Sequence, residues 1–510
     1  MQTQLCNQKM EDNERSKSFG VSFDAKKAKV SKEKSQVQLR QNKREALVQK
    51  RRNLDPGLPW VSLKQHYPKD YSPEDLPTIL SAFSTPDDTS YLYIAHAIRR
   101  LLCRNDDCPI EEICKSEVMN HIIPWLNRTD HTQLQYETAW ICTNISSSSQ
   151  CSILYYINAI PSLTNLLFSS NDEVRYQVSW ALGNISANSQ EERDYILSIN
   201  TIEGLGFSLK NSTKAKHTSL IIWTLTNICR KTPLAHISAV KDIFPLILPY
   251  LKSPKAKIVV DVLWAVCGYS KYKEMQEVFI SEEGIQTIQQ LFTITTSQNV
   301  LTLALRLVGG LCYTSGSTEV FINKGILAYV KIGLESKYKK CRKEAVWALG
   351  NMCAETENQL SPIINEGIFE KVIGFAQNEE MSIRKECVWV LCNSAVVAGF
   401  EQVVLLIKMG LMQALISLLN DGIEVNIILQ GINKLFDKHL KTFQTLDEHN
   451  LLLLSLENCG GMEIIEKFVV HNNEKIVEKV LKLLRKIETQ GASEDTQGNL
   501  MNIVATDMDI

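Results

Sequence analysis

No stretch of about 20 apolar residues occurs anywhere in these 510 residues, so no membrane-spanning helix is expected. The N-terminus is polar and charged, which excludes a visible secretory signal. The fourteen cysteines never approach as C-x-x-C, and Cys103, Cys108 and Cys114 have no matching His pair. A metal site is therefore not expected. Most cysteines stand in apolar helical runs (Cys142, Cys229, Cys267, Cys392), as buried reduced thiols of a cytosolic or nuclear protein would. No phosphate loop, H-E-x-x-H or G-x-S-x-G is present, and the nine His are dispersed. An enzyme is not expected, and no cofactor.

Charge is scarce on balance but unevenly placed. Residues 1–53 hold 14 Lys/Arg against 6 Asp/Glu, a net of +8; residues 54–510 hold 41 against 51, a net of −10. A basic arm precedes an acidic body and is attracted to it. The arm has too few apolar residues to form a core and is expected to fold only on a partner. Asp55-Pro56-Gly57-Leu58-Pro59 breaks the chain after it. The expected organisation is a flexible basic arm over 1–54, a linker over 55–75, a helical array over 76–487 and a polar tail over 488–510.

What is present in abundance is one repeated helix. Trp140, Trp180, Trp223, Trp264, Arg306, Trp347 and Trp389 follow one another at steps of 40, 43, 41, 42, 41 and 42 residues. Asn follows four residues later at Asn144, Asn184, Asn227, Asn351 and Asn393, on the same helix face. Gly284, Gly325, Gly367 and Gly410 share the period and suit helix–helix turns that need positive φ. An all-helical unit of 40–43 residues matches the armadillo/HEAT class. The expected fold is all-α, a right-handed armadillo-repeat superhelical solenoid of about ten repeats, with degenerate repeats at its ends.

A single Trp at helical spacing is usually core. Insistence on Trp in phase, with Asn at i+4, fits a binding surface better. Buried, an Asn amide needs partners; exposed on a concave face, it can bracket a peptide group. An extended peptide lacks internal hydrogen bonds, so a ladder of Asn amides holds it without reading its sequence. Slots between parallel indoles accept the apolar stems of Lys or Arg, with cation–π attraction. Gln177, Asp261, Glu344 and Glu386 each stand three residues before their Trp, where a carboxylate would select an ammonium or guanidinium. The expected ligand is an extended Lys/Arg-rich segment.

The helices Tyr136-Glu-Thr-Ala-Trp-Ile-Cys-Thr-Asn144, Gln177-Val-Ser-Trp-Ala-Leu-Gly-Asn184 and Lys343-Glu-Ala-Val-Trp-Ala-Leu-Gly-Asn351 resemble the third armadillo helices of importin-α (karyopherin-α). Leu39-Arg-Gln-Asn-Lys-Arg-Glu-Ala-Leu-Val-Gln-Lys-Arg-Arg-Asn53 resembles that family's importin-β-binding arm. The resemblance runs from about residue 21 to 487. It implies a nuclear-import adaptor that shuttles between cytoplasm and nucleus. Importin-β would bind the arm through Arg40, Lys43, Arg44, Lys50, Arg51 and Arg52. Cargo would carry mono- or bipartite nuclear localisation signals, and an export receptor would recycle the adaptor. The major signal site would comprise Trp140, Asn144, Ser147, Gln177, Trp180, Asn184, Asn188, Trp223, Asn227, Asp261 and Trp264. The minor site would comprise Arg306, Glu344, Trp347, Asn351, Glu386, Trp389 and Asn393.

The Asn ladder lapses at Gly268 and Gly310, between the two sites. Three repeat steps of roughly 10 Å make a gap of about 30 Å. At about 3.3 Å per residue, a linker of roughly nine residues or more would span it. Two positions depart from the family: Asn188 stands where members carry Asp, with Glu191 and Glu192 nearby, and Gly310 where they carry Asn. The cluster Lys50-Arg51-Arg52 resembles a localisation signal, so the tethered arm would compete for its own groove. Three other readings are weaker. A solvated basic tail over residues 25–52 that binds RNA is one. A catenin-like scaffold would offer a basic groove, and a nucleic-acid-binding solenoid a basic face; this body is acidic.

Overall fold

The computed structural model describes residues 71–85, 87–104, 107–293, 297–313, 316–445 and 451–491. Among them every regular element is helical. The expected arm residues Arg40, Lys43, Arg44, Lys50, Arg51 and Arg52 lie outside the described residues, as do the linker to residue 70 and the tail from 492. Contacts divide the chain into two compact units meeting between Tyr272 and Lys273.

One long helix recurs in each repeat, and these we number in chain order. The first unit contains α1 (Asp88–Leu102), α2 (Thr132–Ser146), α3 (Asp172–Ser186), α4 (Ala215–Arg230) and α5 (Ala256–Tyr269). The second contains α6 (Gln298–Leu311), α7 (Lys339–Met352), α8 (Met381–Val397) and α9 (Val425–Thr445). Within each unit, consecutive numbered helices pack side by side, and α9 packs on the last helix, Glu474–Gly491. Shorter helices, such as Ile160–Leu166 and Thr201–Lys210, cover their other side. Each helix buries its apolar residues against the next repeat rather than into one centre, which is how a chain of this length avoids an oversized core.

Local chemistry sets the helix starts. Asp87 accepts a hydrogen bond from Ser90 N at 2.7 Å to cap α1, and Asn171 accepts from Glu173 N and Val174 N to cap α3. Gly325, Gly367 and Gly410 take φ of +76°, +67° and +100° at the turns before their helices. Gly284 differs from the sequence expectation. It lies inside the helix Glu282–Thr293, where a Cβ would come 2.3 Å from Val278 O. Its role is close approach, not positive φ.

An arginine five residues before the recurring Trp stitches successive repeats. Arg175 donates to Ser169 O (2.6 Å) in the preceding turn and to Asn211 O (2.9 Å) one repeat on. Arg342 donates to Ser336 O (3.0 Å) and to Glu379 Oε1 (2.6 Å). Arg384 donates to Ala376 O (2.7 Å) and pairs with Asp421.

Candidate peptide-binding rows

In the first unit Trp140, Trp180, Trp223 and Trp264 stand on α2, α3, α4 and α5; in the second Arg306, Trp347 and Trp389 stand on α6, α7 and α8. Each unit therefore carries its own row. Trp140, Trp223, Trp347 and Trp389 are buried, while Trp180 and Trp264 are half-buried. The indole of one repeat lies on the backbone of the repeat before it. A Cβ at Gly183 would come 2.5 Å from Trp223 Cζ3, and one at Gly309 would come 2.4 Å from Trp347 Cζ3. Both glycines occupy the residue before the Asn position, so the absence of a side chain there seats the next Trp. Tyr136 and Tyr176, four residues before Trp140 and Trp180, meet those rings edge-on at 5.6 and 5.7 Å.

All five ladder Asn side chains are buried. Of the two situations open to them on sequence, this is the one that needs protein partners. Each amide nitrogen donates to the preceding numbered helix: Asn144 to Leu102 O (3.3 Å), Asn184 to Thr143 O (3.2 Å) and Asn227 to Gly183 O (3.2 Å). Asn351 donates to Gly309 O (2.6 Å) and Asn393 to Gly350 O (2.8 Å). The ladder is thus first an inter-repeat clamp. The side-chain carbonyl oxygens of Asn227 and Asn393 are buried and have no hydrogen-bond partner among the described residues. A buried acceptor left alone is costly, so each position favours a donor from beyond the described residues.

The acidic positions are engaged by cations of the chain itself. Arg306 donates through Nε (3.2 Å) and Nη2 (2.5 Å) to Glu344. Arg230 lies 3.9 Å from Asp261 and 5.5 Å from the Trp264 ring centroid, and Lys343 lies 3.9 Å from Glu386. Gln177 is buried, with its Oε1 3.4 Å from Thr143 Oγ1. Ser147 donates to Asn144 O (2.7 Å), and Asn188 donates to Ser152 Oγ (2.9 Å). Glu192 is buried and Glu191 exposed.

Sequence reasoning missed a second Arg–Glu pair. Arg99 on α1 donates through Nε to Glu137 Oε2 (2.7 Å), both fully buried, and its guanidinium lies 4.5 Å from the Trp140 ring centroid. His96 Nδ1 adds a contact to Glu137 at 3.5 Å. Burial alone would raise the Glu137 pKa; the Arg99 charge and the His96 contact hold it below the usual value. Arg99 stands 41 residues before Trp140, as Arg306 stands 41 before Trp347, and each Glu follows its Arg by 38. That shared spacing was the available signal. Among the described residues no group of His, Cys, Asp or Glu is placed to hold a metal ion, and no single helix is long and apolar enough to cross a membrane.

Comparison with known proteins places these features in context. The importin beta binding domain profile matches residues 15–90, past the sequence-based arm boundary at 54 and into the first described helices. A HEAT-like repeat profile matches residues 132–185. The chain is 30% identical over 351 residues to importin subunit alpha-1a of Oryza sativa subsp. japonica, covering 68% of this chain and 67% of that one. It is 28% identical over 492 residues to importin subunit alpha-3 of Arabidopsis thaliana, covering 94% and 92%. An engineered protein of known crystal structure superposes with a TM-score of 0.70 at 18% identity, covering 81% of this chain and 99% of its own, a likeness of fold alone.

Proposed function

This chain belongs to the importin-α family of armadillo-repeat nuclear import adaptors, and from that premise we propose that its Trp/Asn rows hold the Lys/Arg-rich localisation signals of cargo. The observation that carries the reading is the pair of orphaned acceptors, Asn227 Oδ1 and Asn393 Oδ1, one in each row. A peptide N–H arriving beside each would satisfy it. Lys and Arg stems would lie along the flanking indoles, and the charged ends would meet Asp261 in the first row and Glu344 and Glu386 in the second. Because Arg230, Arg306 and Lys343 already engage those acids, an incoming cation exchanges one partner for another and finds the acid already oriented. The first row is the major site and the second the minor site; a bipartite signal supplies a basic cluster to each.

The arm completes the adaptor. The profile match at residues 15–90 supports binding to importin-β there. Free, the arm offers Lys50-Arg51-Arg52 to the chain's own rows at high effective concentration. Bound to importin-β, it leaves them open, so cargo and importin-β bind with positive coupling. An export receptor then recycles the adaptor between nucleus and cytoplasm. Family and fold are those of a transport adaptor and not of an enzyme.

The test is a titration of the protein lacking residues 1–54 with a lysine-rich signal peptide and with its Lys→Ala control. Tight binding of the first alone is expected. Equal weak binding of both would refute the reading. The full chain should bind the same peptide more weakly than the truncated one; identical affinity would remove autoinhibition from the account.

A further inference from the structure

The first unit carries a basic stretch whose exposed lysines stand apart from the Trp and Asn positions of the signal rows. Between residues 204 and 257 nine Lys/Arg stand against one acid, Asp242, within a body whose net charge over 54–510 is −10. Lys210, Lys214, Lys216, Lys252, Lys255 and Lys257 are all exposed. They flank two equivalent loops: Lys210, Lys214 and Lys216 surround the entry to α4, and Lys252, Lys255 and Lys257 the entry to α5. Lys255 and Lys257 repeat Lys214 and Lys216 at a step of 41 residues. Since α4 and α5 pack against each other, the two loops are neighbours along one edge of the unit.

The same edge one repeat earlier has the opposite chemistry. There α3 starts at the capping Asn171, followed by Asp172 and Glu173, as the positive end of a helix favours. Those acids are matched forward: Thr213 donates to Asp172 Oδ2 (2.9 Å), Lys214 pairs with Glu173, and the buried His217 lies 2.9 Å from Asp172. At the next step the register offers Thr213 and Lys214 to Pro254 and Lys255, so no acid waits for the new lysines. Neither α4 nor α5 has a side-chain cap or an acid in its first turn, and each has Lys at its N-cap. Lys214 and Lys255 thus place positive charge on the positive end of a helix, which disfavours the free protein. Among the described residues no ion pair joins Lys255 or Lys257 to a carboxylate.

We propose that this lysine edge is an interaction surface for an acidic, extended segment of a partner protein. Neighbouring helices stand about 8–10 Å apart, and three extended residues span about 10 Å. A segment with a carboxylate at every third residue would therefore present one acid to each loop. The positive ends of α4 and α5, which no side chain caps, add to the attraction for an anion. A nucleic acid fits less well, because its dense charge, about one per 1.7 Å of duplex, would also meet the acidic remainder of the body. The proposal is independent of the signal-binding reading.

The experiment uses the full chain and a fluorescein-labelled 15-residue peptide of Glu, Ser and Gly with Glu at every third position. A Gln version and a 15-nucleotide oligothymidine serve as competitors. Anisotropy should show salt-sensitive binding of the Glu peptide, weakened about tenfold or more by K255E/K257E and by K210E/K216E. K255Q/K257Q, a milder change, should give a smaller loss in the same direction and serves if a reversed variant fails to fold. A lysine-rich signal peptide should bind all variants within about twofold of the parent, which separates this surface from the Trp/Asn rows. Three results would overturn the proposal: the Gln peptide binding as tightly as the Glu peptide, binding unmoved by every substitution (making the basic arm the acceptor), or oligothymidine binding more tightly and lost in the same variants.

Discussion

Gly309→Ala sets two physical effects against each other, and the structure decides the sign. On helix propensity alone, Ala in the interior of α6 should stabilise the protein by about 1 kcal/mol. The new Cβ, however, would lie 2.4 Å from Cζ3 and 2.6 Å from Cε3 of Trp347, and 2.9 Å from Ala348 Cα. Carbon atoms rest about 3.5–4.0 Å apart, so the indole must retreat by about 1 Å. Trp347 is only 6% exposed, and the Ala348 atom is backbone that moves only with α7. Overpacking of this kind costs about 1–3 kcal/mol, and with Ala348 backbone in the contact the cost lies toward the upper end, about 2–3 kcal/mol, which after the propensity gain leaves a net loss of roughly 1–2 kcal/mol. Urea denaturation followed by tryptophan fluorescence and circular dichroism measures it. The double variant G309A/W347L, with a smaller side chain over the new methyl, should recover most of the loss relative to W347L alone. The single variant should also weaken a peptide confined to the second row. A G309A protein more stable than the parent, or no recovery in the double variant, would refute the argument that this glycine exists to seat the Trp.

Glu137→Gln strips Arg99 of its counter-charge inside a dry core, and unfolding experiments should show a loss of about 3–5 kcal/mol, largely restored in R99M/E137L. Burial pushes the His439 imidazole down from 6.5 to about 4, with Lys438 adding to the shift. The folded protein therefore refuses a proton that the unfolded chain accepts below about 6.5, so this contribution is full above that pH and shrinks as pH falls toward about 4. A pH series of urea midpoints should be flatter over that interval in H439Q; an unchanged slope would contradict it. Asn188→Asp adds a carboxylate beside Ser152 and should tighten a single-cluster lysine peptide by about three- to tenfold, measured by calorimetry. Unchanged affinity would show that Asn188 does not tune the first row.

Much of the architecture could be read from one dimension. The period of 40–43 residues, the Trp and Asn four apart and the turn glycines define an all-helical repeat because a solenoid reuses the same local solution in each unit. The two rows, and Arg306 at the start of the second, were legible for the same reason. The arm stands out by charge and composition, which need no fold, and the importin beta binding domain profile overlaps it at residues 15–90.

Tertiary packing decided the rest. Sequence could not tell whether the ladder Asn faced solvent or a neighbour, since the same i+4 spacing serves both. The packed helices turn each amide nitrogen onto the preceding repeat and leave two side-chain carbonyl oxygens without a partner among the described residues. Gly284 shared the period of the turn glycines but works by close approach, a distinction that depends on where Val278 O lies. The Arg99–Glu137 pair joins residues 38 apart whose meeting is arranged only when α1 packs on α2. Periodicity fixes which residues recur; contacts between repeats fix which of their atoms are already matched by a neighbouring repeat.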